Sequence, residues 1–92
     1  MSIATLNANA AGNLFVEKCR NTHPLSSYED CSINTNSGYG AYLCALDEAT
    51  IRCRSAGNVD CVELGVTFKN IISNEFIGYK ACEAKVTVRG WR

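Results

Sequence analysis

The sequence is poor in the residues that carry most recognisable chemistry: it holds one histidine, one proline, one tryptophan and one methionine. His23 is therefore the only base a histidine-dependent triad could use. It precedes Pro24 in a polar stretch with no nucleophile motif beside it, and a loop histidine is expected. No apolar run approaches the roughly 20 residues that cross a bilayer, so no membrane span is expected. Cys-x-x-Cys is absent, as are cysteine pairs at zinc-ribbon spacing, which argues against a redox dithiol and against a metal. Gly38-Tyr39-Gly40 lacks the G-x-x-x-x-G-K pattern of a phosphate loop, and turn geometry accounts for its glycines. There is no Asn-x-Ser/Thr sequon. Met1-Ser2-Ile3-Ala4-Thr5 has neither a basic nor an apolar leader region, so a mature chain is expected if the protein is secreted. An excess of either charge is missing too, with nine basic and nine acidic residues. That balance argues against a partner chosen by overall field, and no nucleic acid and no cofactor are expected.

What the sequence does have is cysteine. Cys19, Cys31, Cys44, Cys53, Cys61 and Cys82 are even in number and spread through the chain. Three disulfides are the leading reading; reduced, buried thiols of an intracellular protein are the alternative, and metal ligation comes last. A chain of 92 residues is one small domain whose burial barely offsets the cost of ordering it. Bridges worth about 2 to 4 kcal/mol each would then decide whether it folds. Such a chain is expected to be extracellular and monomeric. Six cysteines allow about 15 connectivities; Cys19 with Cys82, joining first and last strands, is the expected pair among them.

Residues 1 to 12, poor in anything that can be buried, are expected to form a flexible arm, and residues 13 to 92 the single domain. Asn13 to Arg20 reads as the first strand. Ser26-Ser27-Tyr28-Glu29 fits a capping box after Pro24. Asn34 to Gly38 is turn chemistry, and Tyr39 to Ala49 a helix, with Tyr39, Leu43 and Leu46 at helical spacing. Thr50 to Arg54 and Val62 to Phe68 alternate like two strands, joined by a hairpin connection at Ser55 to Asn58. The second run also has a helical face, but its β-branched residues and Gly65 favour strand. Tyr79 to Trp91 is the clearest strand, with Cys82, Ala84, Val86 and Val88 directed inward and Glu83, Lys85, Thr87 and Arg89 outward. The fold class that follows is α+β, a small disulfide-stabilised antiparallel sheet with one or two helices on one face, with an all-β sandwich as the alternative.

Functional candidates are few. The adjacent acids Glu29-Asp30 and Asp47-Glu48 do not match carboxylates facing each other across a cleft. Lys80, Lys85, Arg89 and Arg92 make the C-terminal strand basic, which a lysine-guarded sheet edge explains more readily than a contact surface does. Tyr39, Tyr42, Arg89, Trp91 and Arg92 are the candidate interaction surface, because polar-tipped aromatics and arginine anchor interfaces. A short chain with an even cysteine count, balanced charge and no catalytic motif resembles the small cysteine-rich secreted effectors and toxins of fungi. Some of these, the killer-toxin-like group, are α/β sandwiches of antiparallel strands with packed helices. The resemblance implies a non-enzymatic protein that binds a host or competitor molecule, its partner a protein or cell-surface ligand. Two further readings stand beside it. One is an inhibitor presenting Asn34 to Tyr42 to a secreted hydrolase; the other is a small ribonuclease-like enzyme in which Glu29, His23 and Arg52 converge.

Overall fold

The computed structural model of the protein describes residues 12–23, 30–73 and 79–92. Its elements run β1 (Asn13–His23), α1 (Asn36–Ser55), β2 (Asp60–Ser73) and β3 (Tyr79–Trp91). The sheet order is β1-β3-β2, with β3 antiparallel to both neighbours. β1 and β2 are thus parallel to each other and joined by a crossover through α1, and β3 returns from β2 to fill the gap between them. The result is the expected α+β arrangement, a small antiparallel sheet with a helix on one face. The capping box at Ser26 to Glu29 and all but the last residue of the N-terminal arm lie outside the described residues.

α1 starts where the chain first satisfies its orphan amides. Thr35 is the N-cap, in an extended conformation, and its hydroxyl oxygen accepts from Gly38 N–H at 3.1 Å. The same hydroxyl donates to Ser32 O at 2.9 Å. The turn is so tight that a Cβ on Gly38 would lie 2.0 Å from Ser32 O. Asn36 to Gly38, expected as turn, are therefore the first helical residues. Thr35→Ala should cost about 1 kcal/mol in urea unfolding; a loss near zero would mean that solvent caps these amides equally well.

The helix then continues past the point where the sequence suggested a strand. Thr50 to Arg54 is helical, and Ser55 to Asn58 joins helix to strand rather than strand to strand. The reason is a stripe of four-residue spacing: Ala41, Ala45, Ala49 and Cys53 are all buried, and ending the helix at Ala49 would leave Cys53 off that face. Burial outweighs the β preference of Thr50 and Ile51. The turn chemistry at the end is real. Ala56 and Gly57 N–H groups bond Arg52 O and Arg54 O, Gly57 has φ +93°, and buried Asn58 donates its side-chain amide to Cys53 O at 2.9 Å. The sheet consequently has three strands.

Small residues bring α1 close to the sheet. Its alanine stripe packs on Cys19, Ala84, Val86 and Val88, with Phe15, Tyr42, Leu46, Cys61, Val66 and Phe68 around the border. The inward set expected for the last strand is buried, and Ala81, of the opposite parity, is buried with it. α1 lies over β1 and β3 and reaches β2 less extensively.

Three disulfides fasten the two layers: Cys19–Cys44, Cys31–Cys82 and Cys53–Cys61. Each strand contributes one cysteine, and its partner lies in α1 or in the segment leading into it. The expected Cys19–Cys82 pair does not form. Cys19 faces Ala84 across the ladder and Cys82 faces Asn21, so the two cysteines are diagonal neighbours. Diagonal Cα atoms lie about 7 to 8 Å apart, near or beyond what a disulfide spans. Both side chains point toward the helix layer, and their partners are there.

Candidate functional site: the open face of the sheet

Because α1 covers one face only, the residues alternating away from it are open over most of the sheet; Ala81, opposite Thr22, is the exception and is fully buried. On β1 these are Leu14, Val16, Lys18 and Arg20; on β3 they are Arg89, Thr87, Lys85 and Glu83. β2 contributes Val62 and Leu64, then Thr67 and Lys69. The change of parity along β2 comes from a bulge between Glu63 and Gly65. Before it, Cys61 and Glu63 face the helix; after it, Val66 and Phe68 do. A strand without the extra residue would place Val62, Leu64, Val66 and Phe68 on one face. The bulge divides them, sending Val66 and Phe68 to the core and Val62 and Leu64 to the open side.

The open face is polarised along the strands. At one end Leu14, Val16, Val62 and Leu64 are 43% to 54% exposed. They flank Arg89 and Thr87 of the central strand, and Arg89 packs over the Trp91 ring with its guanidinium carbon 5.7 Å from the centroid. Asp60, opposite Trp91, closes this end. The next two rungs are ionic. Lys18 lies opposite Lys85, and Arg20 opposite Glu83, which in turn faces Lys69. Arg20 Nε donates to Glu83 Oε2 at 2.9 Å. That hydrogen bond, followed by the charges of Arg20, Lys18 and Lys69, holds the Glu83 carboxyl below the ordinary carboxylate range despite partial desolvation. With a folded pKa below the unfolded one, the contribution of Glu83 is present above the unfolded value and is lost as pH falls through the folded value. Arg20→Gln should raise the pKa of the Glu83 carboxyl, read from its own carbon resonance in an NMR titration; an unchanged midpoint would mean that the pair does not hold in solution.

The five residues expected as an interaction surface do not come together. Arg89 and Trp91 lie on the open face. Tyr39 and Tyr42 lie on α1, across the molecule, with ring centroids 6.1 Å apart. The Tyr42 hydroxyl donates to the Glu63 carboxylate on the helix side of β2, and that bond, then burial and the nearby negative charge, pushes the Tyr42 pKa up. Arg92 turns away and donates to Ala56 O at 3.3 Å. Four aliphatic residues and two lysines of the face, Leu14, Val16, Val62, Leu64, Lys18 and Lys69, escape a sequence reading. Their signal exists only once the bulge and the bare face are known.

The other groupings serve structure. Asn34 to Tyr42, expected as a presented loop, forms the capping turn and first turns of α1. Arg52 pairs with the Glu17 carboxylate and lies over the Phe15 ring, at 5.9 Å from its centroid. His23 is eight residues from Phe15 along β1, about 26 Å away on an extended strand, so Arg52 and His23 do not converge. Glu29 lies outside the described residues. His23, Cys31 and Cys82 form one cluster with metal-ligand atom types, and Cys19, Cys44 and Glu48 another. In both, the sulfurs are joined in disulfides and offer no thiolate. No helix among the described residues is long and apolar enough to cross a membrane.

Comparison with protein-family models, with curated proteins and with solved structures yields no match for this chain.

Proposed function

We propose that the protein is a secreted, effector- or toxin-like molecule that acts without catalysis, binding a molecule of a host or competitor through the open face of its sheet. The observation that carries this reading is the exposed aliphatic end of the open face: the parity of β2 before its bulge, which turns Cys61 to the helix, sends Val62 and Leu64 out on the side where Leu14 and Val16 stand across the central strand. Exposed aliphatic clusters next to ordered cations cost solubility and are retained where something docks. Three disulfides in a chain this small are typical of extracellular proteins and support secretion. They also make the face rigid, which lowers the ordering cost of association.

The test is binding of the oxidised, fluorescently labelled protein to a panel of intact microbial and plant or animal cells. Saturable binding to at least one cell type is expected, with at least a tenfold loss in Leu14→Asn/Val62→Asn. Circular dichroism and intact mass would establish that this variant keeps its fold and bridges. Absence of binding throughout the panel, or equal binding by the folded variant, overturns the reading.

A further inference from the structure

The balanced charge of the chain conceals a gathering of cations on one face. The open face carries Lys18, Arg20, Lys69, Lys85 and Arg89 against Glu83 and Asp60. On the other side Glu17 and Glu63, directed at α1, and Asp47 and Glu48 on α1 itself are nearly matched by Arg52 and Arg54 on α1 and by Lys80 of β3, so among the described residues the excess of positive charge lies on the open face. One feature of the cationic side works against the fold. Lys18 and Lys85 are directly opposed across an antiparallel pair, an arrangement that destabilises a ladder. Local conflicts of this kind persist where function uses them.

We infer that the partner of this face is an anionic lipid surface, on which the lysine rungs meet the headgroups while Leu14, Val16, Val62 and Leu64 enter the interface. This rests on the reading that the open face is the binding surface. Three observations favour a bilayer over an acidic protein or a nucleic acid. Lys18, Lys69 and Lys85 carry point charges on flexible stems, suited to a diffuse field of headgroups, whereas Arg20, with the fork that recognises one carboxylate or phosphate, is engaged by Glu83. The aliphatic residues stand half-exposed on the flank of a sheet, where apolar side chains can be immersed in the headgroup–acyl boundary. Trp91, stacked with Arg89 at the border of the apolar end, has the amphipathic ring that settles at the membrane–water interface. A base-stacking platform would interleave aromatics with the cations, and the rungs that hold Lys18, Lys85 and Thr67, then Arg20, Glu83 and Lys69, contain none. A second copy packed face to face would oppose cations to cations.

Trp91 is the only tryptophan, so it reports its own environment. The oxidised protein is titrated with vesicles of phosphatidylcholine alone and with vesicles containing phosphatidylserine. A blue shift of Trp91 emission, with quenching by brominated acyl chains, is expected for the anionic vesicles only. Each lysine near the surface is worth about fivefold in affinity, so Lys18→Glu/Lys69→Glu should weaken binding by at least about 25-fold. Lys85→Glu guards against misreading a folding defect. It replaces the Lys18–Lys85 repulsion with an opposite pair, so its melting temperature should rise while its vesicle binding falls at least fivefold.

No shift with anionic vesicles, an equal shift with neutral ones, or full binding by the lysine variants overturns the lipid assignment. So does tighter binding of a single-stranded RNA oligomer through the same lysines. If cells are bound through the face while vesicles are ignored, the lipid assignment falls, a protein ligand replaces it, and the functional reading stands. If neither is bound, both fall.

Discussion

Replacing Cys31 and Cys82 together by alanine is expected to lower the unfolding free energy by about 4 kcal/mol, the largest loss among the three bridges. The bridge closes a loop of 51 residues, against 25 for Cys19–Cys44 and 8 for Cys53–Cys61. In the chain-entropy description the corresponding losses are about 4, 3.5 and 2.5 kcal/mol. Their combined effect, about 10 kcal/mol, matches the whole stability of an ordinary domain, so full reduction should leave the chain unfolded. The topology gives the same order. Cys31–Cys82 ties the central strand to the segment that enters α1, and Cys82 is fully buried on that strand. Cys53–Cys61 spans a connection already held by Gly57 and by the Asn58 bond to Cys53 O. Urea unfolding of the three paired-alanine variants measures the order directly. Cooperative unfolding of the fully reduced protein would show instead that the core suffices without the bridges.

The fold was legible where burial and alternation coincide. β3 is buried on one side along most of its length, so Cys82, Ala84, Val86 and Val88 announce it. The residues that suggest the helix are not the ones it buries. Tyr39, Leu43 and Leu46 share a helical face, yet Tyr39 and Leu43 are nearly half exposed, and the buried face consists of alanines that a size-weighted pattern undervalues. The same stripe continues into Thr50–Arg54. With the alanine stripe unread, Cys53 had no reason to belong to the helix, and β-branched Thr50 and Ile51 decided for strand. Pairing of the cysteines was out of reach, because it depends on which strand faces which part of α1.

The candidate surface was less legible still, for two physical reasons. Net charge is a sum, and a sum of zero is blind to an excess of cations gathered on one face. The alternation of Val62, Leu64, Val66 and Phe68 implies one common face, and a single extra residue at the bulge reverses that conclusion for the first two. Gly65 is the one local hint, since an isolated glycine in a strand pattern points to a bulge. Arg89 and Trp91 were singled out as contact residues for their chemistry, but what surrounds them could be known only from the register.

Ala45→Leu should cost about 3 kcal/mol, whereas Leu43→Ala, two residues away, should cost less than about 1 kcal/mol. A reading by side-chain size predicts the opposite order, because leucine is the apolar residue a core is expected to hold. Ala45 is 0% exposed and lies between Ala41 and Ala49 on the stripe that meets the sheet. Opposite it are residues that cannot withdraw, since Ala84 and Val86 belong to a strand paired on both sides and Cys19 is bridged to Cys44. Three added carbons must be accommodated by lifting the helix, and α1 is tied to the layer beneath through Cys44 and Cys53. The strain has no cheap outlet. Leu43, 44% exposed on the outer side, loses only partial burial. Paired urea curves decide between the two orders. A larger loss for Leu43→Ala would mean that α1 presents its other face to the sheet, and the open face derived from this packing would then have to be redrawn.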